Sequence, residues 1–450
     1  VSRPRRPSGS VISTEVPDLN PDTPQTPAVA DAATTAVDAS DLAPGDVVAL
    51  EVGPVAHGGH CVARYQGRVV FVRHALPGER VRARITEAKS GSFCRADAIE
   101  IDVAAPGRVT PPCVHFHPGG CGGCDFQHAS PELQRELKTT VLQEQLHRLA
   151  TVDLPAGVGA VEPLPGDGFG WRTRVRWGLA LQDGRALLGP RVQRSAALVP
   201  VGPEAPCLIA SPGLSTLAVD VAEQLAPDLT PEDAFEMVLT MGEDGTEHVT
   251  EAGAADADVV WETVKGRRFA VAADGFWQAH PAAATTYVDT VMDLLPDDLT
   301  GGTAWDLYGG VGLFAAFLAD AVGVTGTVAT VELDRTATAL ARHNLAGLPQ
   351  ALVKSGMVEK VVGTLPGPVD AIVLDPPRTG AGRKVCDAIA GRKPRVVVYV
   401  ACDPAALARD TAFLATGGYR LDTVRAFDAY PQTHHLEAIA RFVPVDAPVD

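Results

Sequence analysis

The chain has 450 residues, 46% of them hydrophobic and 21% charged, with a formal net charge of −17. A chain of this length predicts about two to four domains with sizeable cores. No apolar run of about 18 residues suggests a membrane span, and the acidic balance excludes a non-specific nucleic-acid coat while leaving room for a local basic groove.

Residues 1–40 are rich in Pro, Ser, Thr, Ala and Asp and read as a disordered tail. The opening stretch has arginines but no apolar core of a secretory signal, so a cytoplasmic location is expected. There, eight cysteines are candidates for metal binding or catalysis rather than for disulfides. Residues 41–104 carry short β-rich runs separated by Gly and Pro turns with no helical period, the pattern of a small OB-like β-barrel. The stretches "GPVAHGGHCVARYQGRVVFV" and "ALPGERV" resemble the TRAM domain, a barrel appended to RNA-modifying enzymes.

Residues 105–267 form a central α+β segment. It opens with "PPCVHFHPGGCGGCDFQHAS", in which Cys113, Cys121 and Cys124 stand in a glycine-rich loop. Cys207 in "PEAPCLIASPG" is a candidate fourth ligand, and such thiolates suit zinc or an iron–sulfur cluster. Cys61, Cys94 and Cys386 stand singly and read as packing residues. An amphipathic helix is expected after Ser130, with Ser130 as N-cap and Pro131 in its first turn. In "WRTRVRWGLALQDGRALLGPRVQRS", Arg172, Arg174 and Arg176 are spaced to share one strand face. That face reads either as a phosphate rail or as a solvated edge strand.

Residues 268–450 alternate strand and helix and predict a doubly wound α/β domain. "TAWDLYGGVGLFAAFLA" is strand, glycine turn and helix, with Asp306 at the strand end; Glu332 ends the next strand. The turn lacks G-x-G-x-x-G, and an acid beside it repels a pyrophosphate but suits a cationic amino-acid head group. S-adenosylmethionine is therefore the expected cofactor. Asp375, in "VDAIVLDPPRTGAG", leaves a third strand into a proline-stiffened loop.

Cys402 follows the strand "RVVVYVA" at the same carboxyl edge. Methyl transfer to oxygen or nitrogen needs no protein nucleophile. Carbon 5 of a pyrimidine does, because thiolate addition at carbon 6 makes carbon 5 enolate-like. A base must then remove the carbon-5 proton, and Glu437, at the start of the last apolar strand, is the candidate. His434 and Asp428 stand in reserve.

The motifs "CGGCDFQH", "FWQAH", "DLYGGVGLF", "VELD", "LDPPRTG", "VYVACDP" and "HHLEAIARF", in order from about residue 41 to 445, resemble the RNA uridine-5-methyltransferases. The resemblance implies a Rossmann-like methyltransferase domain acting on a structured RNA, ribosomal or transfer, as a monomer with no membrane partner. It implies that Gln278, Tyr308, Glu332 and Asp375 bind S-adenosylmethionine, that Cys402 is the nucleophile and that Glu437 is the base. It also implies that Cys113, Cys121, Cys124 and Cys207 hold a [4Fe-4S] cluster. The alternatives are a non-catalytic metal-containing RNA-binding protein and an RNA cytosine-5-methyltransferase.

Overall fold

The computed structural model describes residues 38, 41–88, 93–155, 157–254 and 257–447, so nearly all of the expected tail lies outside the described residues. The first body is a closed barrel of β1 (Val47–Ala56), β2 (His60–Tyr65), β3 (Arg68–Arg73), β4 (Arg80–Ala88) and β5 (Phe93–Val103), in the order β1-β2-β3-β5-β4. Val48, Val70, Val72, Val81, Ala83 and Cys94 fill its interior without solvent contact. Register shifts in β1 and at three points between β4 and β5 bend the strands enough to close the ring. Cys61 and Cys94 are buried packing residues here, as Cys386 is in the C-terminal core.

Helix α1 (Pro131–Ala150) begins where expected: the Ser130 side chain accepts from the Leu133 N–H, and Pro131 follows it. It is not a simple amphipathic helix. Gln134, Lys138 and Gln145 are buried together with Leu137, Val141, Leu142 and Leu146. The reason is its position between two bodies. Leu137 and Val141 join the barrel core, while Leu142 and Leu146 join the core of the C-terminal sheet. A helix covered on two sides has little face left for water, so its polar residues must find internal partners.

After the short strand β6 (Val161–Pro163), the central segment forms a four-stranded antiparallel sheet. Its strands are β7 (Arg174–Gln182), β8 (Arg185–Gly189), β9 (Ala234–Met241) and β10 (Glu247–Glu251), in the order β10-β9-β7-β8, with α2 (Leu214–Leu225) packed on it. A hairpin of β11 (Val259–Val264) and β12 (Arg267–Ala272) follows. Neither reading of the arginine run survives. β7 is an inner strand, and the buried Arg174 guanidinium donates to the Ala272 and Gly275 carbonyls and pairs with Glu262. Of the three arginines, only Arg176 is exposed. Arg174 is held internally because a buried guanidinium must satisfy its donors.

The C-terminal body contains α3 (Ala283–Asp293), β13 (Thr303–Leu307), α4 (Leu313–Val322), β14 (Thr327–Glu332), α5 (Arg335–Asn344), β15 (Ala351–Ser355) and α6 (Val358–Val361). It continues with β16 (Ala371–Leu374), α7 (Arg383–Arg392), β17 (Val396–Ala401), α8 (Pro404–Thr416), β18 (Tyr419–Asp428) and β19 (Glu437–Pro444). The sheet order is β15-β14-β13-β16-β17-β19-β18-β6. β15, β14, β13, β16 and β17 run parallel, and the inner strands β16 and β17 are buried on both faces, hence their continuous apolar text. β19 inserts antiparallel between β17 and β18. A cut of the chain at residue 268 separates β6 from the sheet it completes, since β6 pairs with β18.

Candidate active site

Strand order reverses at β13, whose neighbours are β14 and β16, so their carboxyl ends open a crevice in which doubly wound sheets bind ligands. Asp306 at the end of β13 is fully buried. Its Oδ2 accepts from the Ala315 N–H at 3.1 Å and the Thr330 hydroxyl at 3.0 Å. Burial pushes its carboxyl up to about 7, against the pull of those hydrogen bonds. Asp306 thus ties β13 and β14 to the first turn of α4, while its buried Oδ1 has no hydrogen-bond partner. A Cβ on Gly309 would stand 2.0 Å from Thr330 Oγ1 and 2.5 Å from Asp306 Oδ2, so glycine is obligatory there.

Tyr308 takes φ +64°, a strained conformation for a bulky side chain. Glu332, at the end of β14, accepts from the Gly310 N–H at 2.9 Å and the Asp334 N–H at 2.7 Å. Each of its carboxylate oxygens keeps a further lone pair for a hydroxyl ligand. Gln278 is buried in the segment before α3, anchored where Thr173 donates to the Ala279 carbonyl through both its N–H and its hydroxyl.

The second half of the edge is built by register. β17 and β19 pair Ala401 with Ala438, and one step further along that register sets Cys402 opposite Glu437. Two residues 35 positions apart in the chain thereby become cross-strand neighbours. Cys402 is partly buried, and its thiol is pushed up to about 12 by burial and then by the charges of Glu437 and Asp375, with Arg378 opposing. Glu437 is buried and held well above the usual carboxylate range by burial and by Asp375, again with Arg378 opposing. The Tyr430 hydroxyl donates to Glu437 Oε2 at 3.2 Å, and the buried Oε1 has no partner. Asp375 is likewise raised to about 7 by burial and by Asp306.

The reserve bases are occupied. Asp428 accepts from Lys138 of α1 at 2.5 Å, in a pair with almost no solvent contact. Asp125 accepts at one oxygen from the His434 main chain at 3.0 Å and meets its ring at 2.6 Å. His435 is pushed down to about 3, chiefly by burial, and is therefore a neutral ring.

The four cysteines expected to act together do line one cavity, with Phe116, Trp177 and Ile209 among its walls. The Gly123 N–H points at Cys121 Sγ at 3.4 Å, and the Gln127 amide points at Cys124 Sγ at 3.2 Å. Burial raises the Cys121 thiol to about 11. Among the described residues no three His, Cys, Asp or Glu side chains converge tightly enough for a single metal ion.

Sequence reasoning missed the residues joining the two centres. Trp171 belongs to a small core with Cys124, Phe116 and Ile209, and its ring meets Tyr430 edge-on at 6.0 Å. Tyr430 then bonds Glu437. The Asp125 and Phe126 N–H groups both donate to the Gln432 carbonyl, so the cysteine loop also grips the loop leading into Glu437. The quoted "CGGCDFQH" contained Asp125, but its partner lies 309 residues away.

A family model described as the TRAM domain matches residues 42–99, and one described as tRNA (Uracil-5-)-methyltransferase matches residues 368–441. A Streptomyces avermitilis protein named as an uncharacterized RNA methyltransferase is 43% identical over 439 residues, covering 89% of this chain and 99% of that protein. The 23S rRNA (uracil(1939)-C(5))-methyltransferase RlmD of Chromohalobacter salexigens is 34% identical, with 87% of this chain and 88% of that protein covered. Among solved structures, the Pyrococcus abyssi tRNA (uracil-54, C5)-methyltransferase in complex with S-adenosyl-L-homocysteine has a TM-score of 0.65 at 21% identity. It covers 87% of this chain and 99% of that one and shares its fold. The chain belongs to the RNA (uracil-5-)-methyltransferase family, enzymes that move a methyl group from S-adenosylmethionine to carbon 5 of uracil in RNA. No helix among the described residues is long and apolar enough to cross a membrane.

Proposed function

We propose that Cys402 and Glu437 carry the reaction as nucleophile and base on a uridine of structured RNA, with 23S ribosomal RNA favoured over transfer RNA. The named 23S rRNA enzyme is 34% identical along most of both chains, whereas the solved transfer-RNA enzyme, at 21%, speaks for the fold alone. The observation that carries the reading is the β17–β19 register, which sets thiol and carboxyl on one edge.

In this reading the Cys402 sulfur adds to carbon 6, and the electron pair of the 5,6 double bond moves toward carbon 5 and the carbon-4 oxygen. Gln278, Tyr308, Glu332 and Asp375 would hold S-adenosylmethionine, whose sulfonium–methyl bond would break as carbon 5 takes the methyl group, leaving S-adenosylhomocysteine. Glu437 then takes the carbon-5 proton, the 5,6 double bond re-forms, and the carbon–sulfur bond breaks to release Cys402. The Cys402 thiol and the Glu437 carboxyl both rest protonated, so the thiol proton must pass to solvent before attack and the carboxyl proton before Glu437 can act as base. A sulfonium cation opposing Asp375 and Glu437 favours both losses.

Cys113, Cys121, Cys124 and Cys207 line one cavity and would hold a [4Fe-4S] cluster, each thiolate on a separate iron. The N–H···S contacts from Gly123 and Gln127 suit such a centre.

The test is a pair of variants incubated with RNA and S-adenosylmethionine. Cys402→Ala is expected to form no protein–RNA conjugate. Glu437→Gln is expected to methylate once and stall as a conjugate that survives denaturation. Wild-type turnover in Glu437→Gln removes Glu437 from the mechanism; uridine methylation by Cys402→Ala overturns the reading.

A further inference from the structure

The barrel's β1–β2 hairpin reaches the catalytic edge. Its tip, His57-Gly58-Gly59, lies against two segments of other bodies. The Gly59 backbone sits so close to them that a Cβ there would stand 2.7 Å from the His434 Cβ and 3.0 Å from the Asp125 Cβ. Gly59 also takes φ +77°, which disfavours a side chain independently. Beside it, His57 Nε2 meets Asp403 Oδ2 at 2.9 Å, across 346 residues of chain.

Asp403 is the residue after the nucleophile, and both of its oxygens are engaged. Oδ1 accepts from the Ala406 N–H at 2.8 Å and caps α8; Oδ2 faces His57. Burial works against this carboxylate, yet the hydrogen bonds from His57 and the Ala406 N–H hold it below the usual range. Cys402 therefore stands between Ala401, fixed in the β17–β19 ladder, and Asp403, fixed to a helix and to the barrel.

We infer that His57 is a positioning residue for methyl transfer: through its hydrogen bond to Asp403 the TRAM barrel sets the orientation of Cys402. This rests on Cys402 being the nucleophile. RNA gripping the barrel is then felt at the nucleophile, because hairpin tip and catalytic turn share one hydrogen bond. His57 touches no reacting atom. Its side chain is 38% exposed, so its replacement should leave the fold standing.

The experiment measures the single-turnover rate of conjugate formation with RNA, S-adenosylmethionine affinity, and alkylation of Cys402 by iodoacetamide across pH. Cys402→Ala is run first; only if its conjugate is absent is the nucleophile reading in force. His57→Ala is then expected to slow conjugate formation about tenfold, the scale of one charge-assisted hydrogen bond, with cofactor affinity unchanged. Its alkylation profile should also shift. His57→Gln, whose amide can still donate to Asp403, should recover most of the rate. Asp403→Asn keeps a cap acceptor, and adding His57→Ala to it should cost little more, since the shared contact is already weakened. A wild-type rate and alkylation profile in His57→Ala overturns the inference. Equal losses in His57→Ala and His57→Gln overturn it as well, because barrel packing alone would then explain the effect.

Discussion

The catalytic edge and the cysteine cavity each gather reactive side chains, but by opposite means. At the edge, parallel strands end side by side and deliver residues to one crevice: Asp306 and Glu332 stand at the ends of β13 and β14, and Asp375 and Cys402 directly follow β16 and β17. The cavity has no such periodic support. Its cysteines sit on loops, and Cys207 arrives from a segment more than eighty residues beyond Cys124, positioned in part by its own N–H donating to Ser215 Oγ. A sheet edge keeps its geometry when one side chain changes. A cavity closed by loops does not, unless something inside holds it shut.

That contrast predicts the largest effect. With the proposed cluster in the cavity, Cys124→Ser should reduce bound iron from about four per chain in anaerobically purified protein to far less, with loss of the brown colour. Because binding energy at structural metal sites is folding energy, of about 10 kcal/mol or more in small zinc domains, the central segment should also lose much of its stability. Cys402→Ala should leave iron content and unfolding midpoint nearly unchanged. Iron assays and thermal unfolding of both variants check this. A colourless wild-type protein with one zinc overturns the cluster and leaves the edge chemistry intact.

The next effect lies where α1 is tied to the catalytic edge. Lys138 is fully buried on α1 and donates to Asp428 and to the Tyr430 carbonyl, so it holds β18 and the loop before Glu437. Lys138→Ala leaves the buried Asp428 charge unpaired, a loss of about 3–5 kcal/mol. Lys138→Ala with Asp428→Ala should cost less than the sum of the single losses. Denaturant unfolding of the three variants measures that coupling; strict additivity would mean that the pair is not a structural tie.

The same contrast explains what was legible. Strand ends could be read because apolar runs stop abruptly at polar residues, and sheet topology does the rest. Ser130 as a cap and Cys61, Cys94 and Cys386 as packing residues follow from equally local rules. The buried fate of Arg174 and the roles of Asp125, Tyr430 and Trp171 were not legible, since each depends on a partner contributed by a distant segment. The helix over residues 131–150 was found, but its burial on two sides was not, because Gln134 and Lys138 look like solvent positions until Gln432 and Asp428 are placed beside them.

The smallest predicted effect concerns pH and separates the edge from the cavity once more. Asp306 and Asp375 keep their protons up to about 7 in the folded protein, against about 3.8 for an ordinary aspartate. Between those limits the folded state binds more protons than the unfolded one. Stability without cofactor should therefore fall as pH rises from about 4 to about 7, and these two groups should add no further slope once both states are ionised. Each group contributes at most about 1.4 kcal/mol per pH unit inside the window. Asp375→Asn should flatten the slope, most visibly between pH 5 and 7, as read from denaturant midpoints at constant ionic strength. The cationic cofactor works in the opposite direction: if it faces Asp375, it favours the ionised carboxylate, and its affinity should rise through the same window in wild type more steeply than in Asp375→Asn. Equal pH slopes in the two proteins, with and without cofactor, would show that Asp375 is ionised throughout and that burial does not control this edge.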